Sequence, residues 1–321
     1  MLEVNSSLAA LSDQLVLVAV LCYVTAMLGY ALELGFGRAA PAPATEPARV
    51  PVTVGGGGGS GGEGADAEGG RAAARPTGPG WASRAGVAAV VLSWLGWAAN
   101  LGALVTRGLS VGRWPWANMY EFVVAIALAA VTVFLVMQLR YRVRFLGAFI
   151  MVAATLALGL SVRYFHVQAG PVVPALNSYW VAIHVSAAIV AFGLFTMGAV
   201  ASVLYFVRKE GATRLPDRKE LERLTHRLVV IAFPVWTFAI IAGALWADKA
   251  WGRYWAWDPK EVWSFITWIA YAAYLHARAT AGWRGRTALI VQLVAFGCLL
   301  FNLFGVNIFL GGLHSYADIP G

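Results

Sequence analysis

The sequence has little charge and almost no cysteine, and each shortage excludes whole classes of protein. Of its 321 residues 12% are charged and 60% are hydrophobic, whereas a soluble globular domain carries about a quarter charged and half apolar residues. The solvent of such a chain is mostly lipid. The two cysteines, Cys22 and Cys298, lie far apart inside apolar runs. The chain therefore has no CxxC redox pair and no CxxCH haem-attachment site, and is neither a thiol reductase nor a c-type cytochrome. No basic helix or aromatic RNA-binding pattern accompanies the +8 net charge, so nucleic acid is not a partner and the excess reads as membrane topology. The first apolar run follows acidic Glu3 and Asp13 without a basic segment, which predicts a retained anchor and not a cleaved signal.

What is present is length in apolar runs. A hydrocarbon core about 30 Å thick takes roughly 20 helical residues. Eight runs meet this, near 14–34, 85–106, 119–139, 145–162, 180–207, 228–246, 260–279 and 288–310. The expected fold is an all-α polytopic membrane protein of about eight transmembrane helices. An N-terminal helix (1–36) precedes a disordered Gly/Ala/Pro-rich cytoplasmic linker (37–82), and a seven-helix core (83–321) follows. Taking alternate loops, beginning with the first, as cytoplasmic puts 18 of the 24 Lys and Arg inside. Both termini then face out.

Between the sixth and seventh runs lies WADKAWGRYWAWDPKEVWSFITW (246–268), which holds six of the fourteen tryptophans. An interfacial belt needs one or two per helix end. The crowding of Trp246, Trp251, Trp255, Trp257, Trp263 and Trp268 is better explained as a π surface on which a flat apolar ring system stacks. Asp258, Pro259 and Glu261 stand where an N-cap, N1 and N3 would open the seventh helix. Lys249, Arg253 and Lys260 are candidates to pair with carboxylates of a ligand on this platform, lipid phosphate being the competing partner, and Arg253 has aromatic neighbours on both sides.

Topology sorts the five histidines. Asn177 or Ser178 caps the fifth helix, so His184 lies one to two turns below the outer surface, and Gly311 and Gly312 end the eighth helix just before His314. Both imidazoles then share the depth of the Trp-rich loop. Two neutral imidazoles on opposite faces of a planar macrocycle saturate haem iron, with tryptophans excluding water; no further ligands at zinc spacing are apparent. His276 lies about 24 Å further along its helix than Lys260 and cannot share that ligand. It stands on one face with Ala273, Ala272 and Trp268, which suits either a flat ring close to the helix or simple helix packing.

These segments, WGRYWAWDPKEVWSFITW with YLH ending at His276, together with PWANMYEF (115–122), PALNSYWVAIHV (174–185) and GLHSYA (312–317), resemble the WWD-domain haem-handling superfamily. Within it the chain is similar to the CcsA or ResC-type component of the System II cytochrome c synthase. The resemblance implies His184 and His314 as outer haem ligands beside Trp251, Trp255, Trp257, Trp263, Asp258 and Arg253, and His276 as an intramembrane ligand on the entry path. It also implies haem b as cargo and attachment of that haem to the CxxCH of an apocytochrome c. The implied partners are a CcsB or ResB-type membrane protein and a separate thiol-reducing pathway. The expected place is the plasma membrane of a bacterium with the WWD loop outside. His166 and His226 match no motif, and Glu121, which is assigned no role, opens the third helix, where an acidic residue favours the dipole in any case. The rival readings are a CcmC-type haem-delivery protein, whose six-helix plan fits less well, and a small-solute secondary transporter, for which no clear internal repeat is found.

Overall fold

The computed structural model describes residues 4–37, 79–171, 178–209 and 214–314; the linker reading for 37–82 falls almost wholly outside them. Nine α-helices form among the described residues: α1 (Ser6–Phe36), α2 (Gly80–Val111), α3 (Met119–Arg140), α4 (Gly147–Tyr164), α5 (Tyr179–Val207), α6 (Arg218–Trp251), α7 (Pro259–Ala279), α8 (Arg286–Leu300) and the short α9 (Val306–Phe309). A π turn at Phe301–Gly305 joins the last two. No strand occurs among the described residues. Seven helices, with α8 to α9 counted as one, are long and apolar enough to cross a membrane. The chain is an all-helical, multi-pass membrane protein. The remaining segment, α7, has 21 residues, but opens with Lys260 and Glu261 and is rich in Trp and Tyr, which carry polar atoms, so it is less apolar than its neighbours.

Side-chain caps set where the helices begin. Asn5, Asn118, Ser178 and Asp217 each accept a backbone N–H one turn into α1, α3, α5 and α6, satisfying donors that a helix start leaves orphaned. Successive helices run antiparallel. The Asn5 N–H donates to the Ser110 carbonyl at one end of the α1–α2 hairpin, while Glu33 of α1 pairs with Arg144, ahead of α4, at the other. Along α5 and α6, His184 meets Ala239 and Ser202 meets Thr225. Trp268 of α7 reaches Thr237 of α6, and Ser264 reaches Asn302 in the π turn. One end of the bundle thus gathers the start of α1, the turn from α2 to α3, the end of α4, the start of α5, the Trp-rich loop and His314.

Beside that end lies a buried polar network. The sequence reading placed Arg107 in a loop, but α2 continues through it to Val111 and leaves Arg107 only 1% exposed. Its guanidinium pairs with Glu121 at 3.2 Å and Asp13 at 3.6 Å, donates to the Val167 carbonyl and lies over the Tyr120 ring. Arg113 grips Glu121 with two hydrogen bonds at 2.9 and 3.1 Å, and the Ala117 N–H adds a third. His166 pairs with Asp13 at 3.2 Å. Glu121 therefore does more than favour a helix dipole: it compensates two guanidiniums in a low-dielectric setting.

Candidate functional site

The Trp-rich loop is shaped by its own hydrogen bonds. Asp258 caps α7 through the Lys260 N–H, and Glu261 returns the favour by accepting the N–H groups of Asp258 and Ala256. This capping box was legible in the sequence. Trp257, between them, has φ of 57°, the left-handed region that a bulky residue occupies only under strain.

The loop closes over a cavity with about 1110 Å³ of empty space, part of it open to the surroundings. Its walls come from α3 (Met119, Phe122), α5 (His184, Phe192), α6 (Trp236, Trp246, Trp251), the loop (Trp255), α7 (Lys260, Ser264) and the π turn (Asn302), with His314 at one side. His184 stacks on Trp246 with ring centroids 6.0 Å apart and planes at 18°. Trp246 and Trp251 present their rings to His314 at 5.8 and 5.3 Å. Two histidines far apart in sequence thus meet one aromatic cluster.

Each imidazole is held through Nδ1. In His184 it lies 2.7 Å from the Ala239 carbonyl, in His314 2.8 Å from Asp258 Oδ2. Carbonyl and carboxylate oxygens only accept, so Nδ1 is the donor in both rings, and any metal would be met by Nε2. Both contacts need close approaches that glycine permits. A Cβ at Gly243 would stand 2.8 Å from the His184 ring, and one at Gly312 would stand 2.3 Å from Asp258 Oδ1. Burial pushes the Asp258 carboxyl up, but hydrogen bonds from His314, the Leu313 N–H and the Lys260 N–H hold it below its ordinary value of 3.8.

Of the residues singled out in the sequence, His184, His314, Trp251 and Trp255 line the cavity. Asp258 stands behind His314. Trp263 packs on Phe301, centroids 4.2 Å apart, and supports the wall from behind. Trp257 is 70% exposed and edges onto Trp255; Arg253 is exposed on the loop surface. His276 is exposed at the opposite end of α7, near the Arg278–Glu222 ion pair. Trp246, named in the sequence as part of the π surface, and Lys260, named there as a candidate partner for ligand carboxylates, also line the cavity. Met119 and Asn302 were not singled out; they arrive from distant helices and carry no local signal.

Fold and site together define a multi-pass membrane protein with an aromatic-walled cavity flanked by two backed imidazoles. Residues 116–314 match the family described as cytochrome C assembly protein, which takes in more than half the chain. The chain belongs to that family and is of its CcsA type. It is similar to the cytochrome c biogenesis protein CcsA of Chlamydomonas reinhardtii, 35% identical over 66% of this chain and 64% of that one. It is likewise similar to those of Synechococcus elongatus, 32% identical over 72% of this chain and 86% of that one, and Gloeobacter violaceus, 30% identical over 68% and 83%. The chain thus spans just under two thirds of the Chlamydomonas relative. Among solved structures it shares its fold with cytochrome c haem lyase CcmF at a TM-score of 0.63 and 17% identity, over 92% of this chain and 46% of that one.

Proposed function

We propose that this chain carries haem b through the membrane as cargo and presents it at the Trp-rich end of the bundle as the haem-presenting part of a System II cytochrome c haem lyase. There the CxxCH thiols of an apocytochrome c add to the haem vinyl groups. The observation that carries this reading is that His184 and His314 line one cavity walled by Trp246, Trp251 and Trp255.

Iron in that cavity would take Nε2 of each imidazole, and the porphyrin chemistry would be the cargo's own. The protein's residues do the rest. The Ala239 carbonyl and Asp258 fix the two rings and keep Nδ1 protonated, the tryptophans exclude water from the porphyrin faces, and exposed Trp257 and Arg253 stand at the rim that an apocytochrome would approach. His276, at the far end of α7, serves haem on its way in, together with a transmembrane histidine of a CcsB or ResB-type partner. The thiols arrive reduced through a separate pathway, since the chain's own cysteines form no pair. The excess of Lys and Arg in alternate loops supports an orientation with the WWD loop on the outer face of a bacterial plasma membrane.

A pyridine haemochrome spectrum of the full chain, purified with its partner, tests the reading. The expected result is the signature of b-type haem, with a low-spin Soret band that changes in His184 and His314 variants. A preparation active in cytochrome maturation yet free of haem throughout would overturn it.

A further inference from the structure

We infer that Lys260 is the cavity's anion receptor and pairs with a carboxylate of the ligand, which on the reading above is a haem propionate. Three cations sit in the Trp-rich segment, and the structure separates them. Lys249 pairs with its neighbour Asp248 at 3.6 Å, and its side chain is exposed. Arg253 is exposed and is not part of the cavity wall. Lys260 lines the cavity.

Its position has no helical rationale. Lys260 is the second residue of α7, where the positive end of the helix dipole disfavours a cation. Its Nζ instead donates to the Asn302 carbonyl at 2.7 Å and lies 3.5 Å from the Leu303 carbonyl. These carbonyls belong to the π turn, where the ladder shifts and the Val306 N–H bonds Phe301. An ammonium has three protons to give, so at least one is uncommitted to these contacts.

Its charge is unmatched as well. No carboxylate lies within the 4.0 Å ion-pair limit of Nζ among the described residues. The acids beside it in sequence are spent elsewhere: Asp258 on His314 and the Leu313 N–H, Glu261 on the N–H groups of Ala256 and Asp258. A half-buried cation that touches only neutral carbonyls, with the Asp258 charge acting on it from beyond ion-pair distance, leaves room for a counter-charge from whatever fills the cavity.

A second group points the same way. Asn302, 5% exposed and on the same wall, gives its amide N–H to Ser264 at 2.9 Å, while its Oδ1 has no partner. Buried polar atoms are rarely left so. A cation with a proton to spare beside an orphan acceptor suits a carboxyl group, the acceptor taking a bridging water or the acid proton. The other polar groups of the wall are the two imidazoles, Tyr254, Ser264, Asn307 and Glu261, the last engaged by the Ala256 and Asp258 N–H groups; the remainder is apolar, so the ligand that fits is a flat apolar body carrying acid groups at an edge.

The test titrates the full-length protein in detergent with iron protoporphyrin and with its dimethyl ester, which keeps ring and iron but lacks both carboxylates; binding is read from the Soret band. The wild-type protein is expected to hold the free acid at least tenfold more tightly, the size of one charge-assisted hydrogen bond. Lys260→Met should reduce that preference to within twofold, and Lys260→Arg should restore most of it. Equal affinity for the two ligands in the wild type, or an undiminished preference in Lys260→Met, would overturn the inference and leave haem binding standing. The wild-type comparison needs no variant to fold. A wild-type protein that binds neither ligand would remove the haem reading and this inference with it.

Discussion

Asp258 and His314, 56 positions apart in the chain, are joined by a 2.8 Å contact from Nδ1 to Oδ2, and the same carboxylate caps α7. One side chain thus ends a loop and aims an imidazole. Asp258→Asn keeps the size and the capping oxygen but loses the charge that fixes the ring. Haem retention should fall about 10- to 100-fold, the usual cost of removing a partner from behind a ligand. Helix content by circular dichroism should stay unchanged.

That contact has a defined acid limit. Because the Asp258 carboxyl is held below its ordinary value of 3.8, its contribution to stability is fully present above that pH and is lost as pH falls through the lower, folded-state value. Haem retention measured by dialysis should show no step from this group between pH 8 and 5. A loss below pH 4 should appear in the wild type and be absent from Asp258→Asn, which starts from the weakened level.

His184→Gly and His314→Gly should each give a five-coordinate or easily lost haem, with added imidazole restoring the low-spin spectrum by filling the vacant side. His276→Ala should lower the haem loaded while leaving the spectrum of what arrives unchanged. Unaltered spectra in both glycine variants would exclude the pair as ligands.

Gly243→Ala probes the His184 perch without touching a polar group. A methyl 2.8 Å from the ring must displace it from the Ala239 carbonyl. We expect a loss of about 1–3 kcal/mol by thermal unfolding and a broadened or shifted Soret band.

Glu121→Gln breaks the buried network at its anionic centre and leaves two guanidiniums short of charge. The expected cost is about 3–5 kcal/mol, read as a lower melting temperature in detergent. The spectrum of bound haem should hold, since Glu121 is not part of the cavity wall.

The parts legible in the sequence are those whose signal is local. Apolar length revealed the spans, the Asp258–Pro259–Glu261 spacing revealed the cap of α7, and distance from a helix end put His184 near the Trp-rich loop. Nonlocal duties were hidden. Nothing beside Glu121 announces that Arg107 and Arg113 converge on it, and nothing beside Asp13 announces His166. Arg107 was counted among loop charges because an arginine at the end of an apolar run usually reaches water, whereas here it bends inward to two carboxylates. Arg253 drew attention through its aromatic neighbours in sequence, yet the cation that lines the cavity is Lys260, placed by carbonyls that a π turn exposes in another helix. Trp257 and Trp263 look equivalent to Trp255 in the string; a left-handed backbone turns one outward and the Phe301 ring draws the other behind the wall.

The π turn at Phe301–Gly305 also acts as a phase shift in the last helix. An α-helix advances about 100° per residue, and a π turn absorbs roughly one extra residue, so the side chains before and after it keep different angular clocks. Closing the segment as ordinary α-helix with every residue kept would rotate Asn307 and the run toward His314 by about 100° relative to α8. The register that brings His314 against Asp258 is therefore written in residue count as much as in residue type: the turn takes up the one residue that a continuous α-helix would convert into a rotation of the His314 side.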